Sequence, residues 1–316
     1  MSSKQEMMRR MKAVRDLRQM TRAMQLISRI KLRSAQKMLE NAKPFFVHTI
    51  RTMNEIITQS PELFDPLFRM REPKANQNWR IRIILVAAEG GMAGAYSLKI
   101  LRRAERLADD LKKKRSAQGY QVEFSFDTIG GKLGRRLTDD GYGFHEVIER
   151  WSSDPEYYMS QELGVHLLDE YLDEQVDEIY FVYMHMNNQV SSEPLYIRLL
   201  PVDPLGLMLL TRKLMGREEM EQEEEHVSHL LGRELHFEPN VSEVIKYLEG
   251  SYATAMVFGI LNEAYAAEQS SRMQAMDSAT NNADDLLFEM GQELNRMRQD
   301  GITEELTEII AGAASV

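Results

Sequence analysis

Three places in this chain carry residue types whose spacing could support chemistry. Gly90, Gly91 and Gly94 follow an apolar run and precede a helical pattern, the position a nucleotide-binding loop takes between strand and helix. Their spacing does not complete the dinucleotide fingerprint. No GxxxxGK[ST] element occurs, and Gly130, Gly131, Lys132 and Gly134 do not make a phosphate loop either. Tight turns account for these glycines, because a residue without a Cβ enters conformations closed to others. His226 and His229 stand three apart beside an acidic run, with His236 further on, so two imidazoles could share a helix face. A zinc site needs a third ligand, and neither HExxH nor any cysteine is present, so exposed loop histidines are the expectation. GxSxG is absent, and no Ser, His and Asp set stands out. The residues therefore point to no catalytic centre, metal site or cofactor.

The third place is the basic N-terminal stretch. Residues 1–43 carry twelve Lys and Arg against three acidic side chains, a local charge of +9. Clustered Arg and Lys could neutralise phosphates. An apolar stripe at Val14, Leu17, Thr21, Met24, Ile27, Ile30, Ala35 and Met38 argues instead for packing against a protein partner. That partner is in the chain itself. Residues 241–316 carry thirteen acidic side chains against four basic ones, a charge of −9, and Tyr252, Ala255, Gly259, Asn262 and Ala266 open a second stripe that continues through Met273, Met276, Thr280, Ala283, Leu287, Met290, Leu294 and Met297. Alternating three- and four-residue steps are the seam of a supercoiled helix. Two heptad-spaced helices of opposite charge at the two ends are expected to pair, antiparallel if the middle folds back as one unit. Nucleic acid is then not needed as a partner.

Between the ends, the pattern alternates. Pro44, Pro61, Pro66 and Pro73 are expected to interrupt helix, since proline lacks the amide donor. Strands are expected at 80–88, 121–127, 178–186 and 193–200. Helices are expected at 97–115 and 155–174, with a short one after Gly131. This is the alternation of an α/β sheet with covering helices, a central Rossmann-like domain. The expected organisation is a coiled-coil helix over 1–60, the α/β domain over 78–210, an acidic connector over 211–240 and the second coiled-coil helix over 241–316. Six glutamates in 218–225 read as a solvated face. Ser242 is the expected cap of the last helix, with Glu243 in its first turn.

With 43% hydrophobic and 28% charged residues, the 316-residue chain has the composition of a folded protein. Its longest apolar run, Ile83 to Ala88, falls far short of the roughly 20 residues that span a bilayer. The basic start lacks a secretory h-region, which disfavours export. The lack of cysteine excludes disulfides, thiol nucleophiles and thiol switches.

The segment Arg272-Met273-Gln274-Ala275-Met276-Asp277-Ser278-Ala279-Thr280-Asn281-Asn282-Ala283, through Leu286, closely resembles the C-terminal signature of the gamma subunit of F-type ATP synthases. So does the stretch from Arg298-Gln299 through Ile302-Thr303 and Leu306 to Ile309, Gly312 and Ala313. Thr21-Arg22-Ala23-Met24 and Lys31-Leu32-Arg33-Ser34-Ala35-Gln36 are similar to the family's first helix, and Gly91-Met92-Ala93-Gly94-Ala95-Tyr96 to its glycine turn. The likeness covers the whole chain in order.

The resemblance implies a non-catalytic rotor shaft. Its antiparallel coiled coil would penetrate a ring of three alpha and three beta subunits, and its α/β base would join epsilon and the membrane c-ring. It would lie on the cytoplasmic face of the bacterial plasma membrane without entering it. By the same resemblance, Arg298, Gln299 and Thr303 would meet the beta-subunit catch loops, and the tip with Leu306, Ile309 and Ile310 would sit in an apolar bearing. Arg9, Arg10, Arg15, Arg22, Arg29 and Arg33 would face acidic levers of beta, with Met24 near them. Glu89-Gly90-Gly91 replaces the family's Asp-Arg-Gly, and Asp300, Gly301 and Glu304 also depart from its pattern. Those departures leave open a gamma-like subunit of a specialised ATP-driven motor that does not synthesise ATP. A free-standing nucleotide-binding enzyme on the α/β domain is the other alternative.

Overall fold

The computed structural model describes residues 4–59, 67, 68, 70, 71, 73, 77–130, 133, 144–148, 155–188, 191–203, 238 and 240–314. The elements run in the order α1 (Lys4–Gln59), β1 (Trp79–Val86), α2 (Tyr96–Ala117), β2 (Val122–Ile129), β3 (Phe144–Ile148), α3 (Tyr157–Leu172), β4 (Glu178–Met186), β5 (Ser192–Leu200) and α4 (Val241–Ala314). Two compact units emerge, one of Met1–Ile30 with Ser270–Val316 and the other of Lys31–Gln269.

In the first unit, the ends of α1 and α4 pair antiparallel. Arg18 reaches Asp284, Thr21 reaches Thr280 and Gln25 reaches Asp277, so one number rises as the other falls. On α4 the expected seam is the observed one, with Met276, Thr280 and Ala283 buried and Leu287, Met290, Leu294 and Met297 half-buried. On α1 the expected stripe holds in part, with Val14, Thr21, Met24, Ala35 and Met38 buried or half-buried. The inward positions are Met7, Met11, Val14, Arg18, Thr21, Gln25 and Ser28, while Leu17, Ile27 and Ile30 are 53%, 53% and 70% exposed. Leu17, Ile27 and Ile30 drew the expected stripe off the heptad phase, in which Arg18, Gln25 and Ser28 stand.

The second unit is built on a five-stranded sheet of order β3-β2-β1-β4-β5. β1 pairs parallel with β2 and β4, β2 pairs parallel with β3, and β5 joins β4 antiparallel. Both faces are covered, which is why β1 and β4 read as nearly continuous apolar runs. Ile81, Ile83 and Leu85 of β1 and Tyr180, Val182 and Met184 of β4 pack with Ile100, Leu101, Ala104 and Leu107 of α2. Ile84 and Val86, with Ile179, Phe181 and Tyr183, pack on the other face with Leu167, Leu168 and Tyr171 of α3, Ile50 and Met53 of α1, and Tyr252, Met256, Val257 and Ile260 of α4. Period two within a strand sorts these residues between two cores.

Three further expectations give way. Helix α1 passes through Pro44 and continues to Gln59. An interior proline costs about 3 kcal/mol, but Ile50, Met53 and Ile56 beyond it are all buried, each contributing roughly 1.5–3 kcal/mol. Pro44 and Glu40 are both exposed, so the Glu40 carbonyl that proline leaves without a donor can meet water. The cap of α4 is Asn240, whose Oδ1 accepts from the Glu243 amide at 3.0 Å, rather than Ser242. The strand β3 was not anticipated at all. Of the short helix expected after Gly131 the described residues include Leu133 alone, which is helical and buried; Pro61, Pro66, the three histidines and the 218–225 acidic run lie outside them.

Candidate partner-binding surface

Counting along the register set by Thr21 and Thr280 places Lys4, where α1 begins, level with Met297. Residues 302–314 of α4 run on past that point. There Ile302, Leu306, Ile309 and Ile310 still recur at helical spacing and are 49%, 54%, 68% and 67% exposed. An apolar stripe exposed to this extent has the character of an interaction surface. Arg298 and Gln299 are exposed at the level where α1 starts, and the Thr303 hydroxyl donates to the Gln299 carbonyl at 2.9 Å, one turn back on its own helix.

Arg9, Arg10, Arg15, Arg22 and Arg29 all point away from the seam and are exposed, while Met24 is half-buried. Arg10 donates to Glu6 at 2.8 Å within α1. Arg33, in the other unit, is exposed as well. The structure thus brings the five arginines of the first unit onto the outer surface of one helix, with Arg298, Gln299 and the apolar tip on the other. Sequence reasoning missed a set of apolar neighbours: Met8, Leu17, Met20, Leu26 and Ile27 on α1, with Leu286 and Phe288 on α4, are large and exposed. The signal that would have found them is the phase running through residues 7, 11, 14, 18, 21, 25 and 28. Read in that phase, Leu17, Met20 and Ile27 fall outside the seam.

In the second unit the strand order reverses between β1 and β4, and the carboxyl ends of those strands are where open α/β sheets take ligands. Here α4 occupies that place. Leu261, Ala264, Tyr265 and Glu268 of α4 close over Val86, Ala87, Glu89, Tyr96 and Ile129. The Tyr96 hydroxyl donates to the Ala264 carbonyl at 2.9 Å, and His185 at the end of β4 contacts Glu263. The glycine turn feeding this region has Gly94 at φ +61°, but Met92 also adopts φ +63°, a left-handed conformation uncommon outside glycine. The turn therefore serves to aim Tyr96 and α2 at the helix. No cluster of three or more His, Asp or Glu suited to a metal occurs among the described residues.

The buried charges of this unit are matched. Arg82 joins Asp127 and Glu170, and although burial works against its charge, the two carboxylates raise its pKa above the ordinary guanidinium value. Arg115 joins Glu178, which also accepts from the Tyr180 hydroxyl at 2.5 Å, and its guanidinium lies 3.7 Å from the centre of the Trp79 ring. These groups hold α2, α3 and the sheet together.

The family whose model is described as ATP synthase matches residues 3–316. The chain is 33% identical over 316 residues to the ATP synthase gamma chain of Lachnoclostridium phytofermentans, covering all of both chains. It is 32% identical over 312 residues to that of Ruminiclostridium cellulolyticum, covering 98% of each. Its fold is similar to a chain in the central stalk and c-ring structure of the Tetrahymena thermophila mitochondrial ATP synthase, with a TM-score of 0.55 and 19% identity over 82% of this chain and 99% of that one.

Proposed function

Because the chain belongs to the ATP synthase gamma-chain family, we propose that it is the central rotor shaft of an F-type ATP synthase. It couples ion flow through the membrane rotor to conformational cycling of the catalytic beta subunits. The observation that carries this reading is the antiparallel pairing of the two ends of the chain around Thr21 and Thr280. A helix pair with one charged, arginine-rich flank and one apolar tip presents unlike faces around its axis. Turning it changes which face each beta subunit meets, and differential contacts of this kind set the populations of the beta conformers.

The chain hydrolyses nothing itself. The crevice where its α/β domain would take a nucleotide is filled by α4, which supports a structural role for that domain at the base with epsilon and the c-ring. Arg9, Arg10, Arg15, Arg22, Arg29 and Arg33, with Met24, face the acidic levers of beta. Arg298, Gln299 and Thr303 meet the catch loops, and Leu306, Ile309 and Ile310 turn in the apolar bearing of the alpha and beta ring. The subunit works at the cytoplasmic face of the bacterial plasma membrane. No helix among the described residues is long and apolar enough to cross a bilayer. Similarity to ATP synthase gamma chains along the full length does not favour a motor that only consumes ATP.

Reconstitution of the whole complex in vesicles tests the reading. An imposed ion gradient should drive ATP synthesis that stops when this subunit is left out. Hydrolysis without ion pumping would favour the ATP-driven motor, and tight ATP binding to the isolated chain in titration calorimetry would contradict the shaft.

A further inference from the structure

On α1 the residues to either side of the seam differ in kind. Seam positions Arg18, Thr21, Gln25 and Ser28 are each preceded by an apolar residue, in turn Leu17, Met20, Met24 and Ile27. Of these, Leu17, Met20 and Ile27 are 53%, 58% and 53% exposed. The positions that follow Val14, Thr21 and Ser28 are Arg15, Arg22 and Arg29, all exposed. One step along a helix turns it by about 100°, so residues before and after a seam position flank it on opposite sides. Across the seam, Arg18 and Gln25 reach Asp284 and Asp277, and each aspartate follows a seam residue of α4, Ala283 or Met276. The following sides of the two antiparallel helices therefore share one groove, which is charged. Their preceding sides share the other, where Leu286, exposed and just before the seam residue Leu287, stands at nearly the height of Leu17. Leu26 and Phe288 are apolar exceptions on the charged side.

We infer that the middle of the coiled coil carries two separate addresses, an apolar groove along Leu17, Met20, Met24, Ile27 and Leu286 and a cationic flank at Arg15, Arg22 and Arg29, and that two different beta subunits read them at the same time. This rests on the shaft reading, which places the helix pair inside the ring. From Leu17 to Ile27 the groove runs for about 15 Å, room for two to three turns of a partner helix laid along it by its apolar face. An exposed apolar strip rimmed by charge has the character of such a docking site. The arginines suit a different contact. They recur every seven residues, so their charges line up along one side and attract an acidic lever before the surfaces touch. A helix with its side chains is about 10 Å across, and the pair stands between the two sides, so one lever tip cannot reach both.

The chain has no cysteine, so cysteines placed on it can carry a photoreactive benzophenone into the assembled complex. L17C and R22C label the two sides, and neither lies in the seam. On illumination each labelled chain should capture one beta subunit. A chain labelled at both sites should also yield a product holding two beta subunits, at about the product of the two single yields. A doubly labelled chain that never holds more than one beta subunit overturns the two addresses and leaves the shaft reading in place, as does capture of alpha instead of beta at either site. Capture of no ring subunit at all overturns both. With the label on M20C, adding L17N and I27N should cut capture at least threefold, while capture through R22C stays as it was; an unchanged M20C yield overturns the apolar groove. If L17C does not assemble, M20C paired with R22C takes its place, and a single captured beta subunit there overturns the proposal equally.

Discussion

A Cβ placed on Gly164 would stand 2.9 Å from the carbonyl carbon of Ala253, so α3 and α4 touch backbone to backbone at this point. Real Cβ atoms do not approach carbonyl groups that closely. Nothing flexible lies in the way, since the nearest atoms are the carbonyl group of Ala253 and the amide nitrogen of Thr254. Gly164→Ala is therefore expected to push the two helices apart and to destabilise the α/β unit by about 1–3 kcal/mol, despite the better helix propensity of alanine. Urea unfolding of the full chain checks this, and an unchanged or higher midpoint would refute the close crossing.

The buried pair of Arg115 and Glu178 gives a second outcome. Removing one partner leaves an uncompensated charge out of water, so Arg115→Ala should cost about 3–5 kcal/mol. Arg115→Met together with Glu178→Gln should cost far less than the sum of the two single changes, because neither charge is then stranded. Equilibrium unfolding of the three variants closes the cycle; additive effects would mean that the two groups do not depend on one another.

Four tyrosines make the fold sensitive to alkali. Burial raises the Tyr171 phenol to about 12, and it also lifts Tyr180, Tyr183 and Tyr252 well above the ordinary phenol value, helped at Tyr180 by Glu178 and at Tyr183 by Glu263. In the unfolded chain these groups lose their protons near the ordinary phenol value of 10.0. Above that pH the unfolded state binds fewer protons than the native one, so stability falls as pH rises. Stability from these groups should be complete below pH 10 and decline through pH 12, by up to about 1.4 kcal/mol per group per pH unit. Unfolding by urea at stepped pH, with tyrosinate absorbance followed alongside, would show four phenols titrating only as the chain unfolds. Their titration near 10 in folded protein would contradict the burial.

At the tip, Ile309→Asp and Ile310→Asp place charges on the apolar stripe of α4. Both side chains are exposed in the free chain, so the fold should change by no more than about 0.5 kcal/mol. Against the apolar bearing of the ring the same charges would be desolvated, and pumping per ATP should fall while circular dichroism stays as before. Equal pumping in these variants would remove the tip from the contact surface.

Much of this was legible in the chain. The opposite charges of its two ends, the α4 seam, and the limits of β4 follow from spacing alone, since a buried strand or seam must repeat with the period of its backbone. The α1 seam did so only in part, because Leu17, Ile27 and Ile30 look like core while Arg18, Gln25 and Ser28 do not. Only the partner helix, by accepting Arg18 at Asp284 and Thr21 at Thr280, decides which face turns inward. Likewise, Pro44 locally predicts an end to α1, and the burial of Ile50, Met53 and Ile56 carries the helix past it. The glycine turn at 90–94 could precede either a nucleotide or a helix. That choice lies with α4, some 170 residues away in the chain, whose Ala264 carbonyl accepts from Tyr96 in the place a ligand would take. Local sequence determines periodicity, charge and turn chemistry, because these act over a few residues; which of two plausible faces is buried is settled by atoms that only tertiary packing brings near.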